Sequence, residues 1–276
     1  MIPQPAPGMR ALPVLFALSL AGFGHGVLAG PDSVFLEELT STEVRAAIRG
    51  GRTTVIIPVG GTEQNGPHMT LGKHNVRARA LAGRIAAVLG DALVAPVVAY
   101  VPEGDISPPT GHMRHAGTIS VPEEAFRSVL DAAGRSLRQH GFVDVVLIGD
   151  SGNYQRSLAE VAARLNRDWA GTPARAHFIA AYYRAAQTAY LEALRARGLS
   201  DAQIGTHAGA ADTSLSMAID PSLVRPGELA AGARAGAAAG VTGDPGAASA
   251  ALGELGVEAI VAQTVAAIHA ARAARH

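Results

Sequence analysis

The chain has 276 residues, with 23 Lys and Arg balanced by 23 Asp and Glu, so no long-range field draws it to nucleic acid or to an anionic membrane. It contains no cysteine, which excludes a disulfide framework and thiolate metal ligands; any metal must be held by imidazole, carboxylate and amide groups. That length suits one large α/β domain once a leader is removed and is short for two independent cores.

At the N-terminus, Arg10 precedes an apolar run from Ala11 to Phe23, and small residues surround Val27-Leu28-Ala29. This is a secretory signal pattern, and the run falls short of the roughly 20 residues that a spanning helix needs. The expectation is a cleaved signal peptide over 1–29, a mature domain over 30–276 that is periplasmic or secreted, and no stable membrane anchor. Glu37 to Ile48 carries apolar residues at helical spacing and is stopped by Gly50-Gly51. Thr53 to Val59 is β-branched and apolar on both faces, as a buried parallel strand requires. Val76 to Leu89 reads as a helix, and Ala92 to Ala99, Val143 to Ile148 and His177 to Ala180 read as further strands. Helices are expected at Glu123 to His140, Gln155 to Asn166 and Ala181 to Arg197. Gly205 to Ser216 is a loop leading into a short helix, Leu229 to Ala251 a loosely packed surface connection, and Gly253 to Ala273 a final amphipathic helix. This β-α alternation implies an α/β fold, a three-layer α/β/α domain with a mainly parallel sheet.

In such sheets reactive groups gather in loops at the carboxyl ends of the strands. The polar clusters fall there. Gly60 to Asn75 follows the first strand, Glu103 to Thr118 the second, Gly149 to Asn153 the third and Gly205 to Ser214 comes after the fourth. Glu63 and His74 share the first loop and Asp150 follows another strand, a carboxylate and imidazole set that suits one zinc or manganese ion.

The first loop, Gly60-Gly61-Thr62-Glu63-Gln64-Asn65-Gly66-Pro67-His68-Met69-Thr70-Leu71-Gly72-Lys73-His74, resembles the creatininase (creatinine amidohydrolase) family signature G-S-T-E-Q-H-G-P-H-L-P-L-G-T-D. Three more segments correspond in order. Gly111 to Ser120 resembles E-H-x-x-F-P-G-T-I-S, Ile148 to Asn153 resembles N-G-H-G-G-N, and His207 to Ser214 resembles H-A-G-E-x-E-T-S. The resemblance runs from about Val55 to Arg225.

It implies a metal-dependent hydrolase of a small amide, cutting a C–N bond of the cyclic amide or formamide type with metal-activated water, in a homo-oligomer of hexamer type. Relatives hold two metals through the Glu and first His of the signature, its terminal Asp and the His of N-G-H. Here those positions are Glu63, Asn65, His74 and Asp150, so two ligands have exchanged type and one is lost. The residues then read as a mononuclear site of Glu63, His74 and Asp150, with His207 and Asp212 catalytic and His207 carrying the proton. Asn65, His68, His112, Ser151 and Asn153 fall to substrate contact or support. Ala210 stands where relatives have a Glu. The alternative is a creatininase-like binding or scaffold protein that has lost catalysis.

The leader gives the first test: Edman sequencing of the protein from an exporting host should begin near Gly30, and a chain that retains Met1 would contradict export by cleavage.

Overall fold

The computed structural model describes Met1 and residues 33–274; apart from Met1, the expected leader lies outside the described residues. Four strands form one sheet: β1 (Thr54–Val59), β2 (Ala92–Val94), β3 (Asp144–Gly149) and β4 (Arg175–Phe178). All pair in parallel in the order β2-β1-β3-β4. Every residue of β1 and β3 is buried, which their unbroken apolar runs demand, since helices cover both faces. Val55, Ile57, Val145 and Leu147 point to one face and Ile56, Val146 and Ile148 to the other. Burying each of these side chains is worth roughly 1.5–3 kcal/mol.

On the first face lie α1 (Ser41–Arg49), α3 (Glu123–Gln139) and α4 (Gln155–Asp168), which bury Phe126, Leu130, Leu158, Leu165 and Trp169 against the sheet. The second face carries α2 (Lys73–Leu89), α5 (Ala181–Gln187) and α6 (Ala189–Ala196). The short α7 (Asp201–Ile204), α8 (Ala210–Ile219), α9 (Leu229–Ala235) and α10 (Ala250–Ala273) are the other α-helices among the described residues. The architecture is the three-layer α/β fold expected from the alternation. Among the described residues α10 is long and apolar enough to cross a membrane by length and composition. Its Gly253, Gly256, Val257, Ile260 and Ile268 are nevertheless buried, and it packs against α8, α5, α2 and α6.

Several boundaries differ from the periodicity, each for a local reason. The first helix begins at Ser41 because Thr40 and Glu43 close a capping box there; Leu36–Glu38 is a separate 3₁₀ turn. Strand β2 stops at Val94, ahead of Pro96, which has no N–H to give the ladder. Val98 then rejoins β1, its N–H donating to the Pro58 carbonyl at 3.0 Å. β4 lies two residues earlier than expected because the Asn166 amide clamps Ala176 with two 2.8 Å hydrogen bonds. The single helix expected over 181–197 breaks at Thr188, whose φ of −125° and ψ of −86° are not helical. The difference with most consequence is at α2, which starts at Lys73 instead of Val76.

Gly253 fixes how closely α10 approaches α8, since a Cβ there would lie 2.0 Å from the Ser214 carbonyl oxygen. Gly253→Ala should therefore lower the unfolding free energy in urea by about 1–3 kcal/mol despite its better helix propensity; an unchanged or raised stability would contradict this packing.

Candidate active site

Glu63 sits at the centre of the strand-end loops. It leaves β1 through Gly60, where a Cβ would meet the Asn75 backbone nitrogen at 2.9 Å. Asn75 in turn accepts from the Gly61 N–H at 2.9 Å. The loop is braced from inside by Asn65, whose amide donates to the Glu63 and Thr70 carbonyls at 2.8 and 3.0 Å. Glu63 is almost completely buried.

Because α2 begins at Lys73, three of its side chains reach the same point. His74 lies between two carboxylates, with Nε2 at 2.8 Å from Glu63 Oε1 and Nδ1 at 2.6 Å from Asp150 Oδ2. Arg77 pairs with Asp150 and with Asp212, both at 2.9 Å. Lys73 closes the circuit, 3.1 Å from Asp212 and 3.9 Å from Glu63. Tyr182 donates to the other oxygen of Asp150 at 2.9 Å. Burial opposes ionisation of Glu63, but the His74 imidazole and the Lys73 ammonium hold its carboxyl well below the usual range. Burial and Lys73 press the His74 imidazole toward neutrality, yet Glu63 and Asp150 win and raise it. Asp212 is likewise held low, burial notwithstanding, by Lys73 and Arg77. Glu63, His74 and Asp150 thus meet, but as a carboxylate–imidazole–carboxylate chain. Both ring nitrogens face an oxygen, an arrangement that differs from three ligands around a common point.

On the other side of Glu63 the surroundings change. His112 Nε2 lies 3.3 Å from Glu63 Oε2, and His207 Nδ1 lies 3.8 Å from Oε1. One ligand atom from each of Glu63, His112 and His207 falls within 4.8 Å of the others. Nε2 of His207 sits 3.0 Å from the Gln64 carbonyl, which only accepts, so this nitrogen carries the proton and Nδ1 presents a lone pair. Burial lowers both histidines, His207 to about 4 with Lys73 adding to the effect. Neutral imidazoles beside an ionised carboxylate are what a divalent ion binds.

Of the residues named from the sequence for substrate contact or support, His68 has a supporting place. His68 is buried behind the loop, with Nε2 at 3.0 Å from the Ala208 carbonyl. Ala208 has a φ of 54°, a left-handed conformation unusual for alanine. Its N–H donates to Asp212 at 2.9 Å. His68 and Asp212 therefore fix the turn that presents His207. Asn65 and His68 do not line the cavity of about 230 Å³, whereas Ser151 and Asn153 do. The stretch over 229–251 is no loose surface connection: Gly232 packs on the His68 ring, and Thr242 bridges His207.

The sequence reading passed over Lys73 and Arg77, although the signature has Thr where Lys73 stands. It also left Glu103 unassigned. Glu103 is buried, accepts from the Asn153 amide at 2.8 Å and shares a carboxyl–carboxyl hydrogen bond with Glu63. Burial, with the neighbouring Glu63 charge, pushes its carboxyl up to about 8.

The Creatininase family model, creatinine amidohydrolase, matches residues 37–268, and the chain belongs to the creatininase family. A creatinine amidohydrolase of Pseudomonas putida is 29% identical over 198 residues, covering 70% of this chain and 74% of that one. A mycofactocin precursor peptide peptidase of Mycolicibacterium smegmatis is 36% identical over 113 residues, 39% of this chain. The match spans 43% of that peptidase, less than half its length. Among solved structures, a creatinine amidohydrolase superposes with a TM-score of 0.70 at 26% identity, covering 86% of this chain and 97% of that one. Another, described as "Creatininase Mn", gives 0.68 at 26% identity over the same shares.

A proton on Glu103 has a signed consequence. The folded protein holds that proton more tightly than the unfolded chain, whose value is 4.5, so the stability it contributes is complete below 4.5 and is lost as pH rises to about 8. Urea unfolding of chelated protein should show wild-type stability declining across this window, by up to about 1.4 kcal/mol per pH unit, relative to Glu103→Gln. Parallel profiles would contradict a protonated Glu103.

Proposed function

We propose that the protein hydrolyses the C–N bond of a small amide, with one divalent ion, zinc or manganese, held by Glu63, His112 and His207. The observation that carries this reading is the buried Glu63 carboxylate with two imidazoles converging on it, His112 at Oε2 and His207 at Oε1, one ligand atom from each of the three within 4.8 Å of the others. One carboxylate and two imidazoles are a donor set found in catalytic zinc sites, which keep a further position open. Solved relatives described as "Creatininase Mn" and as a creatininase mutant of "Zn-Zn type" favour the same two metals.

When bound, the ion supplies a Lewis acid that polarises the scissile carbonyl and acidifies water. The chain's own residues do the rest. Glu63, kept ionised from behind by Lys73 and His74, offers its carboxylate. Gln64 holds His207 with Nδ1 forward through its backbone carbonyl, and Asp212 holds the turn that carries it. Proton delivery to the leaving nitrogen falls to Glu103, which retains its proton near neutral pH, is steadied by Asn153 and lines the adjacent depression that shares His112 and Asn153 with the cavity. This replaces the role that the motif alone gives to His207. Tyr183, Tyr190, Leu191, Ile204 and Leu215 form an apolar wall of the cavity, suited to a substituent on the amide. The cavity volume of about 230 Å³ favours a small substrate.

A second reading, a binding protein without catalysis, is favoured by one observation, that His74 and Asp150 are committed to each other. Amine release from a panel of cyclic amides, formamides and short peptides, with and without chelator, separates the two. The hydrolase reading expects turnover that chelation abolishes and zinc or manganese restores, and a fall in kcat/KM of at least about 100-fold in His112→Ala and in His207→Ala. Turnover indifferent to chelation would reject it, and binding without turnover under either metal would favour the second reading.

A further inference from the structure

The floor of the cavity is a closed ring of alternating charge. Going round it, Lys73 meets Glu63, Glu63 meets His74, His74 meets Asp150, Asp150 meets Arg77, Arg77 meets Asp212 and Asp212 returns to Lys73. Each acid touches two cations and each cation two acids. Five of the six side chains are at most 6% exposed, and Asp212 is 22% exposed toward the cavity.

We propose that Lys73, His74 and Arg77 are resident counter-ions that do the work of a metal on this floor, tying three separate segments together, so that the floor itself binds no divalent ion. The acids come from the loop after β1, the loop after β3 and α8, and without cations between them their mutual repulsion in a buried space would force those segments apart. All three cations come from the first turn and a half of α2. Helix N-termini disfavour positive charge, so helix stability does not account for them, whereas the facing acids do. Every carboxylate on the floor already faces two basic side chains, and both ring nitrogens of His74 already face carboxylate oxygens, so the floor has no ligand atom left for a divalent ion, whereas Oε2 of Glu63 points away from it toward His112.

The test uses the His112→Ala/His207→Ala double variant, which lacks the two imidazoles at the mouth and so isolates the floor. After dialysis against EDTA, calorimetric titration with zinc should show no stoichiometric binding, and the melting temperature with and without EDTA should agree within about 1 °C. One or more tightly held zinc equivalents, or a melting temperature that falls on chelation, would overturn the proposal. In the wild-type background Lys73→Met should lower the melting temperature by roughly 6–20 °C, or prevent folding, with partial recovery in Lys73→Arg. A Lys73→Met protein that melts with the wild type overturns it equally. Activity does not enter these readouts, so their failure is separate from failure of the hydrolase reading.

Discussion

The salt-bridged ring between α2 and the strand-end loops is the constraint on which the site depends. A parallel sheet leaves the loops after β1 and β3 side by side, but nothing in the sheet dictates where Glu63 and Asp150 point. His74 and Arg77 set that, and Lys73 with Arg77 sets Asp212 and thereby the turn carrying His207. Buried ion pairs of this kind are costly to assemble, and removing one member strands the others. The ring is therefore better understood as a device for geometry than as a source of net stability.

That geometry divides Glu63 between two environments. Oε1 belongs to the ring, with His207 also 3.8 Å away, whereas Oε2 turns toward His112. Burial lowers His207 and His112, and Lys73, which also helps to hold Glu63 ionised, adds to it. An anionic carboxylate and neutral imidazoles are thus maintained together by burial and a shared cation. Glu103, close to Glu63 and deprived of solvent, takes the opposite protonation state, so two neighbouring carboxyls are driven apart in acidity. Separation of this sort is how a site obtains an acid and a base from the same residue type.

Much of this was legible in the residues. The unbroken apolar runs of β1 and β3 announced a covered parallel sheet, and the polar loops after them announced where chemistry would gather. What escaped is instructive. Lys73 and His74 read as loop because Gly72 offers no capping side chain and the first apolar helical residue is Val76; the helix start is stabilised by tertiary ion pairs that no local pattern encodes. The approach of His112 to Glu63, 49 residues earlier in the chain, is invisible to spacing. The Ala- and Gly-rich stretch before α10 looked featureless, yet its small residues are what allow close packing on His68 and Gln64. The exchange of ligand type at His74 and Asp150 is visible in the sequence, but its meaning depends on Lys73 and Arg77, whose positions relative to the acids only the fold supplies.

The most direct test of the account is a crystal structure of zinc-loaded protein with anomalous data collected at the zinc edge. The account requires a single peak about 2.0–2.2 Å from Glu63 Oε2 and from the nitrogens of His112 and His207, with His74 still lying between Glu63 and Asp150. A peak coordinated by His74 and Asp150, or two peaks in one site, would contradict it.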